Sequence, residues 1–334
     1  MTIAFFGELM LRLSPPGREL LLQTPKFEVN VGGAEANVAT GLACLGHSVR
    51  MVSAVADNPL GAATIGELRR RGVDTSTIVS EPGRLGLYFL TPGAGLRASE
   101  VVYDRAHSVF ADRAAHAWDW DKALAGATRL HLSGITPALG HNTATAAIAA
   151  ADAATAKGIP VSFDGNYRAK LWEAWDSNPR EVLTRLIGQA DILFGNHRDI
   201  SLLLGREFSG DGPDRRREAA EAAFEAFPKL ELIASTARHV VDADSHRIAA
   251  RIDTRAGGHQ TDEVVIAGIV DRIGAGDAFA AGVLHGLIQG GDAVDAAEAG
   301  LALTALKHSL PGDASLFGQA DIDAFLEGEL DVRR

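Results

Sequence analysis

In Asp271-Arg272-Ile273-Gly274-Ala275-Gly276-Asp277-Ala278-Phe279, a Gly-Ala-Gly turn stands between two apolar runs. Val264 to Ile269 before it predicts a strand; Ala278 to Ile288 after it, small-residue and helix-period, predicts a helix. Such a turn leaves the first N–H groups of the helix unpaired and aimed at one spot, where the helix dipole adds partial positive charge. Gly274, Ala275 and Gly276 would then form an anion hole. Asp277 at its edge would repel a phosphate that merely rested there. A carboxylate in that place suits a base that takes a proton from a hydroxyl while the hole stabilises a phosphoryl group in transit. The plainer alternative is a glycine-rich turn capped by an acid.

Other polar residues fall where a ligand could reach them. Val31-Gly32-Gly33-Ala34-Glu35-Ala36-Asn37 opens an apolar helix; Gly33 admits close backbone approach, and Asn37 on the first turn can bond hydroxyls. Tyr88, Tyr103 and Arg105 pair phenols, suited to hydroxyls, with a guanidinium, suited to a carboxylate. Asn166 and Arg168 follow the strand-like run Ile159–Phe163, and Asn196 and Asp199 follow Ile192–Phe194. Ligands of open α/β sheets bind beyond the carboxyl ends of strands, which is where these four stand. Asn196 and Asp199 could hold a hydrated Mg²⁺; Asn196 would equally serve as a helix N-cap. His131, His141 and His308 lack metal-ligand spacing and are expected to be satisfied core or surface residues.

The elements that must position these residues alternate along the chain. Strand candidates are Ile3–Phe6, Val49–Val55, Arg129–Leu132, Ile159–Phe163, Ile192–Phe194 and Leu230–Ala234. Helical patterns lie between them at Ala34–Leu45, Leu60–Arg71, Asn142–Lys157, Arg180–Ile187 and Arg215–Phe227, with a last one at Ala320–Arg334. This rhythm predicts one α/β domain built on a mainly parallel sheet covered on both faces. Leu9 to Glu28 and Leu85 to Tyr103 break it, and their alternation predicts inserted antiparallel strands forming a small sheet over the ligand-binding end. A chain of 334 residues, 46% hydrophobic, has ample material for a large core. A net charge of −11 argues against nucleic-acid and anionic-membrane surfaces. Cys44, the single cysteine, excludes an internal disulfide and a cysteine-rich metal site, and is expected to be a buried core thiol. With no basic leader and no apolar run long enough to span a bilayer, the expected compartment is the cytoplasm. The first strand is not followed by Gly-x-Gly-x-x-Gly, which argues against a dinucleotide-dependent oxidoreductase.

Taken together, the ordered motifs resemble the ribokinase-like (PfkB) carbohydrate kinases over nearly the whole chain. The Gly32-Gly33 helix entry with Asn37 and the Asp271-to-Asp277 loop match the two family signatures. Gly7-Glu8-Leu9-Met10, Tyr88, Tyr103 with Arg105, His131 to Pro137, Asn166 to Trp172 and Leu306 to Asp313 are most similar to the kinases of 2-keto-3-deoxygluconate. The resemblance implies a three-layer α/β/α fold with a β-sheet lid at about 9–28 and 85–105. It implies ATP and Mg²⁺ as cofactors and a homo-oligomer, often a dimer through the lid. Asp277 would be the base; Gly33, Asn37, Tyr88, Tyr103, Arg105, Ile135 and Arg168 would line the sugar-acid pocket. Asn166, Asn196, Thr236, Arg238, Gly274, Gly276, Gly300 and Lys307 would lie toward the nucleotide, with Asp199 toward Mg²⁺ through water. The family pattern is departed from at four places, one of them Asp199, where the wider family often has glutamate. Ser235-Thr236-Ala237-Arg238-His239 stands where a Lys-x-Gly-x-x-Gly stretch is common, and Asp104 where a tyrosine is common. Arg272 replaces a frequent threonine, which bears on a bound monovalent cation. The sugar acid is the first expectation; fructose or the galactonate epimer is the alternative substrate, and a non-catalytic sugar-binding paralogue the alternative to a kinase.

Overall fold

A computed structural model describes residues 1–328. Its strands, in chain order, are β1 (Thr2–Phe6), β2 (Met10–Ser14), β3 (Glu28–Gly32), β4 (Ser48–Ala56), β5 (Asp74–Glu81), β6 (Gly86–Thr91) and β7 (Glu100–Asp104). Then come β8 (Ala127–Ser133), β9 (Val161–Asp164), β10 (Ile192–Phe194), β11 (Leu232–Val240), β12 (Ser245–Thr254), β13 (Gly258–Gln260) and β14 (Val264–Ala267). The large sheet has the order β13-β12-β11-β10-β9-β8-β1-β4-β5, with β14 also paired to β12. From β11 to β5 every pairing is parallel. The central strands are buried on both faces, so they read as continuous apolar runs such as Ile-Ala-Phe-Phe and Ile-Leu-Phe.

Helices Ala34–Cys44, Ala275–Ile288 and Ala293–Lys307 pack together as one layer, and His141–Ala156 with Pro179–Ile187 as another. Where Ala275–Ile288 meets Ala293–Lys307, small residues let the backbones approach: a Cβ on Gly282 would lie 2.4 Å from the Ala299 carbonyl oxygen. Four segments leave the carboxyl ends of parallel strands at one end of the sheet: Gly7-Glu8 after β1, Gly134 to Thr136 after β8, Gly165 to Arg168 after β9 and Gly195 to Asp199 after β10. Ile135, Asn166, Arg168, Asn196 and Asp199 stand on these segments.

The two segments that broke the α/β rhythm form a separate small sheet, β3-β2-β6-β7. Its outer pairs are antiparallel, but the central β2–β6 pair is parallel, against the expectation of an all-antiparallel sheet. The cause is connectivity. β2 and β6 come from different insertions separated by β4, β5 and two helices, so no hairpin turn joins them.

Other expectations shift in detail. The Val264–Ile269 run becomes β14, an antiparallel partner of β12 with Val265 exposed. The last helix covers Gln319–Glu327, and residues 329–334 lie outside the described part. Cys44 ends its helix half-buried rather than in the core. His131 is a core residue, its ring near Phe5 and Phe194 and its Nδ1 3.0 Å from Ser162 Oγ. Burial lowers its pKa to about 3, so it stays neutral. No helix among the described residues is long and apolar enough to cross a membrane.

Candidate active site

Gly274 is the N-cap of helix Ala275–Ile288 and has φ +78°. No side chain caps this helix, so its first-turn N–H groups point outward without a protein acceptor from that source. The two loop glycines differ in kind. A Cβ on Gly274 would sit 1.6 Å from the Asp313 carbonyl oxygen, so both space and backbone angle require glycine. A Cβ on Gly276 would meet no protein atom within 4 Å, so the fold leaves that position free to carry a side chain. The open space beside Gly276 borders the first turn of the helix.

Asp277 stands on the same first turn, and Asn37 Nδ2 donates to its Oδ2 at 2.7 Å. This bond ties together the N-termini of Ala34–Cys44 and Ala275–Ile288. Gly33 starts the first of these helices at φ +145°, and a Cβ there would lie 2.3 Å from the Glu8 carbonyl oxygen. Burial pushes the Asp277 carboxyl up to about 7, opposed by the Asn37 bond and reinforced by Asp313 and Glu35. A carboxyl held there can take up a proton near neutrality.

Several acids that the sequence reading did not nominate surround this point. Asp164, at the end of β9, is also pushed to about 7, by burial and then by Asp277 and Asp199. Glu35 rises to about 7 through burial while its Oε1 accepts from Ser133 N–H, Ser133 Oγ and Thr136 Oγ1. Those bonds fix the turn that presents Ile135. Glu8 accepts from Arg105 Nε at 2.9 Å and Nη2 at 2.5 Å, and from Ser108 Oγ. An acid five residues into a strand-and-turn pattern carries no signal of a partner 97 residues away.

The expected pocket residues fall out as follows. Arg105 is buried, and two of its three nitrogens serve Glu8; only Nη1 is without a partner. Its guanidinium also lies 5.6 Å from the Tyr103 ring, which is half exposed and 5.9 Å from the Tyr88 ring. Tyr88 is buried and donates its hydroxyl to Asp313. Arg168 is exposed at the start of Ala169–Trp172, close enough for its charge to act on Asp164, Asp199 and Asp277. Asn166 adopts φ +35°, and its N–H donates to Asp164 Oδ1 at 3.1 Å.

Among the expected nucleotide-side residues, Asn196 is an N-cap, and its N–H donates to Asp199 Oδ2 at 2.8 Å in a capping box. Asp199 also faces Gly165, where a Cβ would be 2.9 Å from its Oδ1. Thr236 and Arg238 are exposed on the outer half of β11. Gly300 and Lys307 are both buried. Gly300 is enclosed by Phe279 and Val283 where two helices cross, and Lys307 is fully buried, its Nζ donating to Leu310 O at 2.9 Å.

Residues 2–316 match the sequence profile of the pfkB family carbohydrate kinases. The chain belongs to this family. A 2-dehydro-3-deoxygalactonokinase of Haloferax volcanii is 32% identical over 325 residues, 97% of this chain and 96% of that protein. A 2-dehydro-3-deoxygluconokinase of Bacillus subtilis is 28% identical, over 92% of this chain and 90% of its own length. The crystal structure of a 2-dehydro-3-deoxygluconokinase from Thermotoga maritima superposes with a TM-score of 0.92 at 38% identity, over 98% of this chain and all of that one. The PfkB fold, with its mostly parallel sheet and separate small sheet, is therefore that of this chain, and the enzyme is a carbohydrate kinase of the sugar-acid type.

Proposed function

We propose that this kinase transfers the γ-phosphoryl group of ATP to the terminal hydroxyl of 2-keto-3-deoxy-D-gluconate. The observation that carries the chemistry is the Asp277 carboxyl, held by Asn37 through one oxygen and poised near pH 7 beside uncapped helix N–H groups. Its other oxygen takes the hydroxyl proton. The sugar oxygen bonds to the γ-phosphorus as the bond to the bridging oxygen breaks, and ADP leaves. The first-turn N–H groups of Ala275 to Asp277 stabilise charge on the transferring group, an electrostatic role that needs no rearrangement during reaction.

Among the described residues no three His, Cys, Asp or Glu side chains form a metal-holding cluster. Mg²⁺ would offset phosphate charge here, with Asp164 and Asp199 the carboxylates that would hold it through water. Asp271 accepts from Arg12 and from two backbone N–H groups, of Ile273 and Gly312.

Arg168 and the free Nη1 of Arg105 are our candidates for the substrate carboxylate, with Tyr103 on its hydroxyls. The galactonate epimer is the second reading, favoured by the 32% identical relative. Assembly we place on the outer face of the small sheet, where Val29 and Val102 are 57% and 49% exposed. Steady-state kinetics over both keto-deoxy epimers and fructose test the assignment; phosphorylation of fructose alone would leave only the general kinase reading.

A further inference from the structure

Arg12 lies on β2 opposite Tyr88 on β6, and both point from the small sheet into the body of the enzyme. The Arg12 side chain is 4% exposed, with Nη2 2.6 Å from Asp271 Oδ2 and Nη1 3.1 Å from Asp313 Oδ1. Tyr88 donates to the other oxygen of Asp313. Asp271 opens the phosphate-binding loop, and its carboxylate accepts from Ile273 N–H at 2.9 Å and Gly312 N–H at 3.1 Å. The Asp313 carbonyl oxygen backs onto Gly274. A second contact is apolar. Met10, Tyr88 and Leu90 form a small core of their own in this sheet, and Ile273 of the loop packs into it.

We propose that Arg12 is a positioning residue that latches the phosphate-binding loop to the small sheet, so that the anion hole is correctly formed only while the sheet is seated. This rests on the sugar-acid kinase reading. The loop from Asp271 to Gly274 has one ionic and one apolar anchor in the sheet, and the next residues are the hole and the base. Withdrawing the sheet removes the Arg12 guanidinium from two buried carboxylates. Lys307 stays with the body, and Asp271 and Asp313 both act on its charge, so one cation would face two acids beside the phosphate site. Loosened and made more negative, the loop would hold a polyphosphate less well. A sugar acid that draws the sheet down through Tyr103 and Arg105 would therefore tighten donor binding, and by linkage the donor would tighten the sugar.

The test measures binding of Mg²⁺ and the β,γ-imido analogue of ATP to the whole protein, with and without saturating 2-keto-3-deoxygluconate. It uses wild type, Arg12→Lys, Arg12→Met and Ile273→Ala, with thermal unfolding monitored in parallel. The sugar acid should tighten the analogue on the order of tenfold in wild type. Arg12→Met should bring that factor below about twofold while affinity for the sugar acid alone changes less, and Arg12→Lys should keep part of it. If Arg12→Met does not fold, partial loss in Arg12→Lys and Ile273→Ala supports the latch, and full coupling in both overturns it. Equal coupling in wild type and folded Arg12→Met overturns the latch and leaves the kinase reading standing, as does a wild type that binds both ligands without coupling. A wild type that binds no sugar acid overturns the kinase reading and the latch with it.

Discussion

At the residue scale the proposed chemistry turns on one carboxyl group. Asp277 combines a raised pKa, one oxygen bonded to Asn37, and uncapped N–H groups on its own helical turn. Asp277→Asn keeps the shape and removes the proton acceptor, so kcat should fall by about 10²- to 10⁴-fold while both substrates still bind. Near-normal kcat in that variant would show that the base is elsewhere. The pH profile supplies an independent check. The folded pKa is raised to about 7, so the carboxylate form that acts as base is lost as pH falls through that value. Wild-type kcat should drop on the order of tenfold from pH 8 to pH 6 if proton removal limits the rate. A flat profile over that range would exclude a base with this pKa. Arg105 shows how burial divides a side chain between a structural partner and a free nitrogen. The sequence offered it as a carboxylate ligand, and the structure gives two of its nitrogens to Glu8.

At the element scale the N-terminus of Ala275–Ile288 separates fold from function within three residues. Gly274 is demanded by φ and by the Asp313 carbonyl, whereas Gly276 borders open space. Gly274→Val should therefore lower melting temperature and activity together. Gly276→Val should leave melting temperature nearly unchanged and raise the KM for ATP or lower kcat. Equal loss of stability in both would mean that Gly276 serves only the fold. Legibility followed the same physical line. Buried parallel strands and their helices were visible because burial on both faces writes apolar runs such as Val161–Phe163 and Ile192–Phe194. β12 was missed because it carries charge into the interior: Arg251 and Asp253 are both buried and bonded to each other at 2.6 and 2.8 Å. Helix Ala293–Lys307 was missed because it is buried nearly all round and so lacks an amphipathic stripe. The loop, Asn37 and Arg168 could be found from local patterns, since each follows a strand or opens a helix. Glu8 with Arg105, and Arg12 with Asp271 and Asp313, could not, because those partners meet only in three dimensions.

At the scale of the whole molecule, two sets of buried titratable groups oppose each other. Burial lowers the pKa of His131, to about 3, and of His285 and His308. Below the unfolded value of about 6.5 the unfolded chain takes up these protons first, so their contribution to stability is lost as pH falls. Glu35, Asp164 and Asp277 are raised to about 7, so the native state takes up their protons first and gains stability as pH falls from 7 toward 4. Urea midpoints should change little between pH 6.5 and 4.5 and fall below pH 4, where the gain from the three acids is complete while the buried histidines, and carboxylates such as Glu67 and Asp74 held low by hydrogen bonds to arginines, lose theirs. A steep fall beginning near pH 6 would contradict this balance. The same global charge frames substrate choice. A protein of net charge −11 must reverse its field locally to accept an anionic sugar, and Arg168 is an exposed cation whose charge acts on Asp164, Asp199 and Asp277. The most direct measurement is kcat/KM for 2-keto-3-deoxygluconate against fructose, in wild type and in Arg168→Ala. The sugar acid should be preferred in wild type, and Arg168→Ala should cut its kcat/KM by about 10- to 100-fold while fructose loses far less. A wild type that prefers fructose would contradict the account.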